Sequence, residues 1–580
     1  MTLFPIPQKL DYTEGSCPAG APAEKVCDPS LGREEYKITI TPAGVTLTAS
    51  CDEGFFRAQT TVKQITAQNP AALPCLTIHD WPDFPVRGLW HSPDIPSMRQ
   101  MKHLIDLLAD MKMNHLEFEL YSANYVYDHF PQFNRQGNSY TPEEIRELSR
   151  YAKERYIDLV PNMQTFGHLN DWLEDPAIRD FAELPEGFEK WGSHQTPGTL
   201  DPLDPRSQAF VRQVLDDVLP AFPDSRMINI GCDETWELGQ GKSKEACERL
   251  GKTRVFLNFV SQTIQYLTEK GVKPLFWADN ILQGSQEVLN AIPKDSVALN
   301  WGYERWEVTE DSCIRLQKTG VPYWNAPGTS VWLSMIGQSY KAMQNIARSA
   351  VLGKRYGASG LLNTNWHGDR HASHAYVPIA YGAAMGWNTA EGDWREDAPR
   401  DDLSAIVEPD AVQIVKVSPT MAACFDYLNR FVFMDQRGKM AQIAYDAGLY
   451  AHISRHPGIH NQAQPVAVLN QPPDKKETYG YDVKDYRDMQ DYLAAIAFRL
   501  EHETQLCARD GDWILDEYRD TLARLNYACD IALYHLGERR VMSDEDYALW
   551  MNNRRKSLMQ EYFRVWAYRH RVRRQTLTDE

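Results

Sequence analysis

Nowhere in its 580 residues does the chain carry an apolar run approaching the ~20 residues of a membrane span. Its start, MTLFPIPQKLDYTEG, has neither the basic region nor the apolar stretch of a signal peptide. These two absences lead to the expectation of a cytoplasmic protein. Cysteine is sparse for the length, ten residues with no CxxC pair and no regular spacing, which argues against a disulfide scaffold or a zinc ribbon. Positive charge is in deficit: 61 Lys and Arg face 79 Asp and Glu, a formal net charge of −18. A field of that sign repels polyanions, so neither nucleic acid nor an anionic membrane is an expected partner. No GxGxxG or GxxxxGK(S/T) loop follows any predicted strand, which removes the usual nucleotide signatures.

What remains is ordinary globular composition, 43% apolar and 24% charged, with a surplus of 16 Trp and 28 Tyr. At about 150 residues per domain the length implies three or four domains, fewer if one is a large barrel. Residues 35–80 read as a small α/β unit. EYKITITPAGVTLTAS alternates in two strand-like stretches around Pro42-Ala43-Gly44, and FFRAQTTVKQITAQ has helical spacing. From Val86 short apolar strands alternate with amphipathic helices. Strands are predicted at 86–90, 115–120, 157–163, 226–231, 273–278, 296–302, 322–326 and 360–366. Strict βα alternation requires parallel strands, and eight of them favour a closed (β/α)8 TIM barrel over an open doubly wound sheet. A polar, acidic linker follows. Beyond it the chain reads mainly as helix, with QPVAVLNQPPDKKETYG as a Pro-rich interrupting loop. The expected division is an N-terminal α/β domain (1–85), a catalytic barrel (86–390), a linker (391–410) and a helical C-terminal domain (411–580).

Barrel enzymes place catalytic groups at the C-terminal ends of the strands. The fourth strand ends in INIGCDETWELGQG, which puts Asp233 and Glu234 just beyond it. Two adjacent carboxylates repel, so in a partly dry site one is expected to hold a proton. A protonated carboxyl beside an ionised one suits glycosidic cleavage, one donating to the leaving oxygen and the other stabilising positive charge. A solvated acidic loop is the plain alternative for a bare Asp-Glu pair. Several tryptophans fall where predicted strands end, the place for residues that stack on sugars, although packing accounts for most of the aromatics.

IGCDETWELGQG resembles the catalytic motif of glycoside hydrolase family 20, the β-N-acetylhexosaminidases, and is most similar to the hexosaminidase D branch. VPNMQTFGHLNDWL resembles the family's third-strand segment, GTLDPLDPRSQAFV the segment leading into the next helix, and FPVRGLW the start of its barrel. The resemblance covers about residues 35–390. It implies that Glu234 is the general acid/base and that Asp233 orients the substrate's acetamido group. That group would itself attack the anomeric carbon, an exception to the two-carboxylate scheme. The resemblance further implies an acetamido pocket walled by Trp277, Trp301 and Trp366, with Tyr303 or Tyr323 bonding the carbonyl and Trp332 toward the aglycone. His168 would support the carboxylates, with Glu119 in the same network and Asp369 meeting sugar hydroxyls. HGDRHASH can also be read as a metal-ligand cluster, but the family's chemistry needs neither metal nor cofactor.

The chain departs from the family at LWHSPDIPSM, where many members carry an Asp-x-x-Arg whose arginine holds the ring hydroxyls. Here the nearest arginines are Arg87, ahead of the strand core, and Arg99, within the next helix, leaving His91 or Asp94 as candidates. The expected activity is exo-acting removal of terminal β-linked N-acetylhexosamine from an oligosaccharide or glycoside. Glucosamine and galactosamine forms, a modified aminosugar, and an inactive carbohydrate-binding barrel all stay open, as does the oligomeric state.

Overall fold

The computed structural model describes all residues except 92–94, 136, 191, 333, 367, 369, 391–392, 395–416, 451–463, 471–476, 479, 539–542 and 572–580. Five strands, β1 (Lys9–Pro18), β2 (Ala23–Cys27), β3 (Tyr36–Thr41), β4 (Gly44–Ala49) and β5 (Ala72–Asp80), form an N-terminal sheet ordered β1-β5-β3-β4-β2. Period-two alternation puts Tyr36, Ile38, Ile40, Val45, Leu47 and Ala49 in a core shared with Phe55, Ala58 and Ile65 of helix Asp52–Gln68. Each large apolar side chain so buried contributes ~1.5–3 kcal/mol. Strands β1 and β2 were not expected. They are exposed along almost their whole length, so their sequences carry no alternating apolar signature.

Eight parallel strands close the barrel: β6 (Val86–His91), β7 (His115–Leu120), β8 (Asp158–Met163), β11 (Met227–Asn229), β12 (Lys273–Trp277), β13 (Val297–Trp301), β14 (Tyr323–Ala326) and β15 (Gly360–Asn365). A small hairpin, β9 (Phe188–Lys190) and β10 (Ser193–Gln195), lies between β8 and β11. Every predicted barrel strand is a strand. In β7, Leu116, Phe118 and Leu120 join the outer helix layer, so His115, Glu117 and Glu119 face inward. One side of the interior is apolar, built from Trp90, Leu275, Trp277, Val297, Leu299, Trp324 and Leu362. The other side is polar: Glu117 accepts hydrogen bonds from Asn162 (2.9 Å) and Asn229 (2.8 Å). Such a buried carboxylate is tolerable because donors satisfy it.

The N-terminal domain is fastened to the barrel by buried charge. Glu34 lies between Arg57 and Arg87, while Asp80 accepts from Lys112 (3.0 Å) and from the Trp387 indole (2.9 Å).

The predicted linker falls almost entirely outside the described residues. Beyond it, six helices (Pro419–Tyr427, Met440–Ala447, Gln464–Asn470, Val483–Glu503, Gly511–His535 and Asp544–Trp566) are described. The Pro-rich stretch expected as an interrupting loop begins instead as a helix: Gln464–Asn470 has Pro near its start, where the missing N–H costs nothing, and it buries Val466, Ala467 and Val468. These helices and the segments that follow them brace three loops at the C-terminal ends of barrel strands. After β14, Ser334's carbonyl accepts from the Tyr450 hydroxyl. After β15, His371 pairs with Asp520 at 2.8 Å and Ser373 N–H donates to Glu517. After β6, Ser97 N–H donates to the carbonyl of Arg569 (2.8 Å) and Arg571 N–H to that of Ile95 (2.9 Å).

Candidate active site

The turn after β11 carries Gly231, Cys232 and Glu234, all with positive φ (67°, 75° and 45°). A non-glycine residue held there costs ~1–3 kcal/mol and persists only where neighbours over-determine it. The neighbours are on the adjoining loops. Glu234 N–H donates to Asp279 Oδ2 at 3.1 Å, and the Cys232 carbonyl accepts from Asn280 Nδ2 at 3.1 Å. From the other side the QTFGH segment packs against the turn so closely that a Cβ on Gly167 would lie 2.5 Å from the Asp233 carbonyl oxygen. The two motifs noticed in the sequence are thus one packed unit.

In this turn two consecutive carboxylates reach the same imidazole. His168 Nε2 lies 3.5 Å from Asp233 Oδ2 and 3.3 Å from Glu234 Oε2. Gln164 Nε2 donates to Asp233 Oδ1 at 3.2 Å. The two acids are not equivalent: Asp233 is 9% exposed and Glu234 36%, so the first is enclosed and the second faces the cleft. Burial alone would lower the His168 pKa, but Asp233 and Glu234 outweigh it and hold the imidazole well above its ordinary range. Burial and the Asp233 charge push Glu119 up to about 8. The same two causes push Asp279 up to about 7. Among the described residues, His168, Asp233 and Glu234 are also the one His/Cys/Asp/Glu group with ligand atoms within 4.8 Å of one another.

Beside the acids lies an aromatic pocket. Trp366 Nε1 donates to the Tyr303 hydroxyl at 2.8 Å, and Trp301 stacks on Tyr303 with ring centroids 5.1 Å apart. Trp332 meets Tyr303 edge-on at 5.0 Å, and Trp277 is buried in the interior cluster against which Trp301 and Trp366 pack. Burial raises the Tyr303 pKa, so its hydroxyl keeps a proton to donate. Of the two tyrosines left open by the sequence, only Tyr303 belongs here. Tyr323 is corrected out of the site: it points into the outer helix layer, where its hydroxyl donates to the carbonyl of Tyr356 at 2.9 Å. Alternation carries this information, because Trp324 beside it points inward.

Asp369, His367 and Asp94 lie outside the described residues. His371 and His374 are buried against Asp520 and Tyr518 of the C-terminal helices rather than converging with the carboxylates. Arg87 is held by Glu34 under Trp387, and Arg99 donates to the carbonyl of Tyr568, so neither reaches the pocket. His91 is buried at the end of β6.

The sequence reading missed Gln164, Asp279, Asn280 and the hairpin wall. Lys190 of β9 sits 3.1 Å above the ring of Trp236, whose indole also meets His168 edge-on. Gln164 and Asp279 each follow an inward residue, Asn162 and Trp277, by two positions, and that spacing was a usable signal. A groove of about 960 Å³ between Glu34, Trp81, His115 and Asp158 opens at the opposite end of the barrel, away from this chemistry.

Comparison with known proteins gives a consistent family. Residues 94–375 match the model of the glycosyl hydrolase family 20 catalytic domain, and residues 6–81 match domain 2 of that family. Hexosaminidase D of Bos taurus is 24% identical over 208 residues, covering 35% of this chain and 55% of the relative. A β-hexosaminidase of Akkermansia muciniphila is 26% identical over 285 residues, covering 43% of this chain and 56% of the relative. The chain spans about half the length, or less, of such curated relatives. Among solved structures, the chitobiase of Flavobacterium johnsoniae aligns with a TM-score of 0.56 at 16% identity, over 97% of this chain and 99% of its own. A β-N-acetylhexosaminidase from Bacteroides fragilis aligns at 0.54 and 18% identity, over 67% of this chain and 92% of that one.

Proposed function

Since the chain belongs to glycosyl hydrolase family 20, we propose that it removes terminal β-linked N-acetylhexosamine from oligosaccharides or glycosides by a retaining, substrate-assisted reaction. The observation that carries this reading is the one-sided pair. Asp233 and Glu234 both lie against one imidazole, so they do not span the two faces of a sugar ring as an acid and an enzyme nucleophile would. The substrate's own acetamido oxygen then supplies the nucleophile. Glu234, open to the cleft, gives its proton to the leaving oxygen and later takes one from water. Asp233, enclosed and oriented by Gln164 and His168, receives the acetamido N–H and balances the charge that develops on nitrogen. The acetyl methyl enters the pocket of Trp277, Trp301 and Trp366, with the Tyr303 hydroxyl donating to its carbonyl.

The reading extends to the cell interior as the site of action. Ten free cysteines, four of them exposed or half-buried and six buried, suit a reducing compartment.

The test is a series of aryl β-glucosaminides with N-acetyl, monofluoro-, difluoro- and trifluoroacetyl groups. Fluorine withdraws electron density from the attacking oxygen, so rates should fall steeply in that order, with retention at the anomeric carbon. A flat series, or ready hydrolysis of a plain β-glucoside, refutes substrate assistance. No turnover of either the N-acetylglucosaminide or the N-acetylgalactosaminide refutes the hexosaminidase.

A further inference from the structure

Glu234 is the donor in this reading, yet its backbone is held at φ 45°, where a glutamate does not rest unaided. What holds it comes from outside its own loop. Two consecutive side chains after β12, Asp279 and Asn280, make three contacts along the turn. Asp279 Oδ2 accepts from the Glu234 N–H at 3.1 Å. Asn280 Nδ2 donates to the Cys232 carbonyl at 3.1 Å, and its Oδ1 accepts from the Thr235 hydroxyl at 3.3 Å. The contacts therefore fall at Cys232, Glu234 and Thr235, bracketing both acids. Asn280 and Thr235 are enclosed, 8% and 1% exposed, and Asp279 is half-buried beside them. Asp279 lies two residues beyond Trp277, so the segment that fixes the proton donor is continuous with a wall of the acetamido pocket.

We infer that Asp279 and Asn280 are positioning residues for Glu234, setting the line of its carboxyl toward the leaving oxygen through the backbone of the strained turn. The inference rests on the hexosaminidase reading for what Glu234 does, but not for how its turn is held. Neither residue needs to touch the substrate. Asp279 acts as an acceptor fixed in place, so an amide oxygen at the same position is a partial substitute, whereas a methyl group is none. Loss of the brace relaxes Glu234 toward ordinary backbone angles and swings its carboxyl out of line. Misplacement by about 1 Å is enough to cost on the order of 10²-fold in a positioned reaction.

The consequence depends on the leaving group. A poor leaving group, such as the second sugar of a disaccharide, needs the proton; an activated aryl group largely does not. In Asp279→Ala, kcat on the β-1,4-linked N-acetylglucosamine disaccharide should fall at least ~10-fold further than kcat on the 4-nitrophenyl glucosaminide, because general acid catalysis contributes ~10²–10⁴-fold. Asp279→Asn should recover most of that difference. Asn280→Ala should reproduce the pattern, with Asn280→Ser as its milder partner should the alanine variant not fold.

A second readout is independent of activity. Hydrogen exchange followed by mass spectrometry should show faster exchange in peptides spanning 230–238 of Asp279→Ala, while peptides from the distant N-terminal sheet are unchanged. Equal losses on both substrates, or unchanged exchange in 230–238, would overturn the positioning role even with the hexosaminidase reading intact. A wild-type enzyme inactive on both substrates would instead sink the activity, leaving the exchange result to decide the brace by itself.

Discussion

Glu119→Gln separates the charge of the site from its shape. Glu119 is 6% exposed at the inner end of β7, with Oε2 lacking a protein hydrogen-bond partner. Burial and the neighbouring Asp233 raise its pKa from an ordinary 4.5 to about 8. At neutral pH the folded protein therefore keeps a proton that the unfolded chain releases. Stability linked to that proton is fully present below pH 4.5 and is lost as pH rises toward 8. At about 1.4 kcal/mol per pH unit, the carboxyl costs the native state ~3 kcal/mol at neutrality and ~5 kcal/mol in alkali. Glutamine has nearly the same shape and nothing to ionise. The variant should accordingly melt higher than wild type, with a gap that is small at pH 5 and widens through pH 7 to pH 8.5. A lost hydrogen bond subtracts roughly 1 kcal/mol at every pH and so shifts the gap without changing its trend. Asp279 titrates in both proteins, and its contribution largely cancels in the difference. Scanning calorimetry at the three pH values measures the gap. A gap that stays constant or narrows with rising pH would refute the reasoning, since the residue would then not be a buried neutral acid.

Glu234→Gln should lower turnover of a disaccharide by ~10²–10⁴-fold and spare an activated aryl glycoside by comparison, as steady-state kinetics on the two substrates will report. Trp301→Ala and Tyr303→Phe should each weaken a thiazoline mimic of the bicyclic intermediate, the tryptophan by ~1–3 kcal/mol, as titration calorimetry can measure. Tyr323→Phe should leave that affinity unchanged, because its hydroxyl serves a carbonyl in the helix layer. Exhaustive dialysis against a chelator should not alter kcat, since the His168–Asp233–Glu234 group is read as a proton network; a loss restored by added zinc would assign it to a metal instead.

The barrel was legible because each of its strands is a short apolar run between helices of clear period, and parallel order follows from that alternation. Two kinds of structure escaped for opposite reasons. Strands β1 and β2 bury almost nothing, so their pairing is set by backbone bonds to β5 and β4 that leave no mark on residue choice. The bracing of three active-site loops by the C-terminal helices depends on pairs such as His371 with Asp520, 149 positions apart. A local pattern cannot report such a contact. The histidines of HGDRHASH looked like candidate ligands for that reason: the carboxylate that meets His371 is on a helix far along the chain.

The site divides in the same way. Asp233 and Glu234 are visible as residue types at the end of a strand, and alternation along β14 turns Tyr323 outward beside the inward Trp324. What the residues do not announce is the backbone angle. Consecutive side chains on an extended strand point to opposite faces, so an Asp-Glu pair continuing β11 regularly would place one acid inside the barrel and the other among the helices. The left-handed φ values of Cys232 and Glu234 break that alternation and bring both carboxylates to His168. Their common side leaves the far face of the sugar without an enzyme carboxylate from this pair. A nucleophile must come from somewhere, and a substrate that carries its own acetamido oxygen supplies one. The conformational cost of the turn is thus the structural counterpart of the chemistry proposed, and the braces on Asp279 and Asn280 are what make that cost sustainable.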